Sequence, residues 1–223
     1  MPNLIDSCHM PGSVHNAAAR AGMTFPLSLR EFISKAKCNH SRCVRLHFKF
    51  LRESKSVTEM LKLMRPIFDT ADIGVSVVSR ENLVGPDFAE LLWIDVGTGT
   101  GHILTEEMEK LFRNRNNARP SDIVVYFVEL MSSTAKGLTT RERASIIMLF
   151  WAGSLTLAHE VGHALGLEHF NEETCWDPQH DPCKEPVPRL MTGCGVCPQD
   201  IQSFTPAEIA VIRNSPYTFD CNA

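Results

Sequence analysis

The sequence predicts an α/β fold built on a mostly parallel sheet. Strand-like and helix-like segments alternate along residues 43–167. The segments DIVVYFVELM and ASIIMLFW are near-continuous apolar runs, as expected of strands buried inside such a layer structure. At 223 residues, with 43% hydrophobic and 22% charged side chains, the chain has the size and composition of one globular domain with a proper core.

Taken in order, CVRLHFKFL (43–51) alternates apolar and polar residues and predicts a strand. SVTEMLKLMRPIF (56–68) carries apolar residues at helical spacing, and IGVSVVS (73–79) is a second strand. LLWIDVGTGTGHI (91–103) reads as a strand entering a Gly-rich loop. LTEEMEKLFRNRN (104–116) is a helix with Thr105 as N-cap, acids in its first turn and bases in its last, which complements the helix dipole. DIVVYFVELM (122–131) and ASIIMLFW (144–151) are the buried strands. Between them, STAKGLTTRER (133–143) is polar and β-tolerant, an edge strand or a loop. SLTLAHEVGHALGL (154–167) is a helix ended by a glycine. The rest is loop-like until TPAEIAVIRNS (205–215), where Thr205 and Glu208 form a capping box before a last helix. No internal repeat is visible.

A formal charge of −4 gives no electrostatic reason to expect nucleic acid or an anionic membrane as partner. No apolar run reaches the length needed to span a bilayer. The first residues, MPNLIDSCHMPGSVHNAAAR, lack the charged-then-apolar pattern of a secretory signal, so either a signal was removed or that route is not used.

The chemistry concentrates in AHEVGHALGLEHF, residues 158–170. His159 and His163 are four apart, so a helix stacks their imidazoles on one face, where two ring nitrogens can bind one zinc. Glu160 projects beside that site, within reach of a metal-bound water without being a ligand. Gly166 can adopt the left-handed conformation that ends the helix and turns the chain, so that His169 returns as a third ligand. Three neutral ligands leave one corner open, as catalytic zinc requires. The structural alternative is a set of buried histidines on an amphipathic helix. It fits a bare HExxH better than the full HExxHxxGxxH string found here.

That string resembles the zinc signature of the metzincin metallopeptidases. Leu190-Met191-Thr192-Gly193 is similar to the methionine turn that lies beneath the metal in that clan, with Met191 as its methionine. SVTEMLKLMRPIFDTADIGVSVV resembles the clan's first long helix and second strand. DIVVYFVELM and ASIIMLFW resemble the strands before its active-site helix. The resemblance implies a twisted, mostly parallel five-stranded sheet with packed helices above a cleft, and an irregular C-terminal subdomain below it. Residues 38–166 would form the upper subdomain of a catalytic domain and 167–223 the lower. Residues 1–37 would be a tail or prosegment. It further implies a zinc-dependent endopeptidase cleaving protein or peptide substrates, with Glu160 activating a zinc-bound water, and a monomer is expected. An extended peptide would add to an edge strand near residues 133–140. Cys175, Cys194, Cys197 and FTPAE are similar to the pappalysin branch. Phe170, after the third histidine, and Gly193, where pappalysins and astacins carry a tyrosine, depart from it. Tyr217 is a candidate replacement for that tyrosine.

Eight cysteines, four of them between 175 and 197, favour disulfides and a secreted protein over a cytosolic one. The competing use is a second, structural zinc on Cys175, Cys183, Cys194 and Cys197, of which only Cys194 and Cys197 have zinc-ribbon spacing. Cys8 is a disulfide partner, a free thiol, or a latch on the open zinc corner. No Asp/Asn loop has the ligand spacing of a calcium site. Two further classes compete with the peptidase. One is a methyltransferase-like cofactor binder using the Gly-rich loop. The other is a catalytically silent zinc-binding module, against which the retained Glu160 speaks.

Overall fold

A computed structural model describes residues 40–52, 57–97, 104–170, 190–191 and 203–221. The 1–37 segment with Cys8, the Gly-rich loop from residue 98 on, Gly193, and Cys175, Cys183, Cys194 and Cys197 lie outside the described residues.

The elements are β1 (Arg42–Phe50), α1 (Val57–Asp69), β2 (Ile73–Asn82), α2 (Pro86–Ala89), β3 (Trp93–Ile94), α3 (Glu106–Phe112), β4 (Ile123–Val128), β5 (Leu130–Met131), β6 (Gly137–Thr140), β7 (Ser145–Leu149), α4 (Thr156–Ala164), α5 (Pro206–Arg213) and β8 (Phe219–Asp220). The main sheet runs β2-β1-β4-β7-β6, with β8 added beside β1. β1 pairs in parallel with β2 and β4, and β4 with β7, whereas β6 is antiparallel to β7 and β8 to β1. The fold is therefore α/β with a mostly parallel sheet, and its five-strand path carries one strand more than expected, β8.

Buried residues from β1, β4, β7 and the helices form one continuous core. Phe50 stacks on Phe127 at 4.9 Å, and Phe48 meets Phe127 edge-on at 5.8 Å. α1 packs against α4, and α4 against β6 and β7, so the histidine helix rests directly on the sheet. Phe68 of α1 meets Phe204 edge-on at 5.2 Å, which ties the segment before α5 to the same core. A disulfide between Cys43 and Cys221 joins β1 to the end of β8.

The alternation in CVRLHFKFL has a different physical origin from the one its pattern implies. Arg45, His47 and Lys49 do not face water but are buried. His47 Nε2 lies 3.0 Å from Asp122 Oδ2, and the Arg119 backbone N–H donates to the same oxygen at 2.9 Å. Arg45 Nε is 3.1 Å from Asp122 Oδ1, an ion-pair contact not aligned as a hydrogen bond. Lys49 pairs with Glu81 and donates to the Asn116 carbonyl at 3.0 Å. Burial alone would push the Asp122 carboxyl up. The hydrogen bonds from His47 and Arg119, with the charge of Arg45, outweigh it and hold the group below its ordinary range.

DIVVYFVELM is not one strand. It breaks at Glu129, after which Leu130–Met131 pairs with Trp93–Ile94 in a separate two-stranded sheet. The strand leading into the Gly-rich loop thus stands outside the main sheet. A dinucleotide fold would place it at the carboxyl end of a main-sheet strand.

Candidate active site

α4 ends two residues before Gly166, whose φ of +110° lies in the region favourable to glycine. The Leu167 N–H donates to the Gly162 carbonyl and the Gly166 N–H to the His163 carbonyl, both at 3.0 Å, the paired bonds of a Schellman motif. This turn returns the chain over the helix and brings His169 to the two helical histidines. The Nε2 atoms are 3.1 Å apart for His159 and His163, 3.1 Å for His159 and His169, and 2.9 Å for His163 and His169.

Nδ1 of His159 donates to the Leu190 carbonyl at 2.7 Å, and Nδ1 of His163 to the Leu167 carbonyl at 2.8 Å. A neutral imidazole with its proton on Nδ1 presents a bare lone pair on Nε2. Two such lone pairs therefore face each other across 3.1 Å, with a third imidazole nitrogen closing the triangle. Without a shared cation that arrangement is repulsive, and zinc at its usual distance of about 2.0–2.1 Å to nitrogen fits it. Burial pushes the His159 ring pKa down, and burial with the neighbouring His159 holds His163 at about 4, so both are neutral and ready to ligate near pH 7. Among the described residues, these three histidines are the cluster able to hold a metal, and Glu160 is not part of it.

Glu160 is buried on the flank of α4. The Thr139 hydroxyl of β6 sits 2.6 Å from Glu160 Oε2 and 3.0 Å from its backbone carbonyl. Gly137, two residues earlier, is the other contact. A Cβ there would fall 2.6 Å from the Glu160 side chain, so only glycine lets the strand lie so close to the carboxylate. Burial pushes the Glu160 carboxyl up to about 7, and the Thr139 hydrogen bond opposes that rise.

Met191 is fully buried under the helix. A Cβ on Gly162 would meet its sulfur at 2.7 Å, so that glycine makes room for the methionine. The adjacent Leu190 carbonyl orients His159, and Phe170 N–H donates to the Met191 carbonyl at 2.7 Å. The Tyr217 hydroxyl is engaged elsewhere, donating to the Arg141 carbonyl at 2.6 Å.

His159, His163 and His169 are thus brought to one place, while the Glu160 side chain lies against Thr139 and Gly137 of β6 and Met191 packs against Gly162 of the same helix. Sequence reasoning missed Gly137, Thr139 and Arg141. Thr139 had one signal, its position in the β-tolerant segment before the histidine helix.

No family model matches the chain. No curated protein matches it either. Among solved structures, the chain is similar to archaemetzincin from Methanopyrus kandleri, at 13% identity and a TM-score of 0.41, over 78% of this chain and 87% of that one. It is similar to archaemetzincin from Archaeoglobus fulgidus complexed with malonate, at 13% identity and a TM-score of 0.42, over 76% of this chain and 100% of the other. A zinc-dependent peptidase from Methanocorpusculum labreanum shares 13% identity at a TM-score of 0.34, over 74% of this chain and 92% of that one. At these values, the chemistry of the chain is decided by its own side chains.

Proposed function

We propose that the chain is a zinc-dependent endopeptidase, with His159, His163 and His169 as ligands, Glu160 as general base and Met191 in the turn beneath. The observation that carries this reading is the triangle of imidazole nitrogens, 2.9–3.1 Å on a side, built on a helix that also carries the buried Glu160. Bound there, zinc would polarise a peptide carbonyl and make water at its open corner acidic enough to ionise near neutral pH. The Glu160 carboxylate would accept a proton from the attacking water and pass it to the departing amine nitrogen as the C–N bond breaks. A carboxyl raised to about 7 suits both halves of that task, since it gives up a proton nearly as readily as it accepts one. Thr139 holds Oε2 and so fixes the rotation of the carboxylate.

β6 is the terminal strand of the sheet path and carries Thr139 and Gly137 against Glu160. An extended substrate adds to its outer edge around residues 133–140, which no strand pairs with among the described residues, with main-chain hydrogen bonds setting its register. Secretion is supported by the Cys43–Cys221 disulfide.

The test is casein digestion by the full chain, with zinc content measured on the same sample. Glu160→Ala should lower turnover by about 100-fold or more while zinc remains bound. Retained turnover in that variant would remove Glu160 from its role.

A further inference from the structure

Arg141 follows β6 at the start of a short 3-10 turn, Arg141–Arg143, and its guanidinium reaches across to the chain that carries the histidines. Nε donates to the His163 carbonyl at 2.9 Å, Nη2 to the Leu167 carbonyl at 2.6 Å, and Nη1 to the Glu168 carboxylate at 2.6 Å. The Leu167 carbonyl is the same oxygen that accepts the His163 Nδ1 proton at 2.8 Å. One side chain thus holds the end of α4, the turn after it, and the residue before His169. Arg141 is itself anchored, because its carbonyl accepts the Tyr217 hydroxyl at 2.6 Å.

Helix ends leave carbonyls without intrahelical partners, and a cation there is favoured by the helix dipole. Capping alone would need only one donor. Here a planar fork spends three nitrogens on consecutive parts of one turn, which a flexible ammonium cannot reproduce. The direction of the His163 ring follows from where the Leu167 oxygen lies, and that oxygen is set by the guanidinium. The position of His169 follows from the same turn.

We propose that Arg141 is a positioning residue of the metal site, fixing the 163–169 turn and through it the affinity for zinc, with Tyr217 as its anchor. This rests on the zinc reading above.

The test uses the full chain and zinc alone as probe, with dissociation constants measured by competition against a chromophoric chelator. Arg141→Lys and Arg141→Gln should each weaken zinc about 10- to 100-fold. Tyr217→Phe should weaken it less, in the same direction. Thermal unfolding of the zinc-free forms separates positioning from general support. Weakened zinc binding in a variant whose zinc-free form melts like the wild type supports the proposal. A lowered melting temperature with unchanged zinc affinity in both Arg141 variants overturns it and leaves the peptidase reading standing. A wild-type chain that binds no zinc overturns both.

Discussion

At the scale of single residues, the site depends on groups that are not ligands. Thr139 is the clearest, since its hydroxyl is the hydrogen-bonding partner found for the Glu160 carboxylate at 2.6 Å. Thr139→Val keeps the shape of the side chain and removes that partner. Turnover should fall about 10- to 100-fold through misplacement of the carboxylate, with zinc content unchanged, while Thr139→Ser should stay near the wild-type rate. Steady-state kinetics on the two variants, with metal analysis, checks this. A fully active Val variant would remove Thr139 from the site. His159, His163 and His169 were legible as a cluster because their spacing follows from helix geometry and one glycine turn, whereas Met191 was reached only through the resemblance of its segment to a methionine turn. Arg141 was not legible. Its partners His163 and Leu167 are 22 and 26 residues away, and Tyr217 is 76 away, so no local period marks it.

At the scale of elements, the capping signals were read correctly because they are local. Thr105 accepts from Met108 N–H, and Thr205 and Glu208 form both bonds of the capping box. What was missed at this scale is tertiary. DIVVYFVELM looked continuous because apolar residues on either side of Glu129 serve two different sheets. The alternation in β1 marked the strand but not its partners, since Arg45 and His47 are buried against Asp122 and Lys49 pairs with Glu81. That burial has a consequence. Asp122→Asn removes the carboxylate charge and leaves Arg45 buried without its partner, which should cost roughly 3–5 kcal/mol in urea unfolding near neutral pH. The folded-state carboxyl lies below its unfolded value. Its contribution is therefore complete above the unfolded pKa of about 4 and is lost as pH falls through the folded one. The gap between wild type and variant should close in acid. A gap that is independent of pH would contradict this role.

At the scale of the molecule, the parallel sheet presents α4 on one side, closes that side with the antiparallel β6, and brings the C-terminal part back through Leu190 and Met191 under the helix. The alternation of strands and helices made the class of this architecture readable. The pairing of β8 with β1 and the Cys43–Cys221 link could not be read, because they join positions 178 residues apart. The peptidase reading stands on one centre formed where these parts meet. Zinc K-edge X-ray absorption on the zinc-loaded full chain tests that centre most directly. The predicted spectrum shows three imidazole nitrogens at about 2.0–2.1 Å and one light oxygen neighbour. A spectrum of sulfur neighbours alone, at about 2.3 Å, would place the metal on the cysteines and contradict the account.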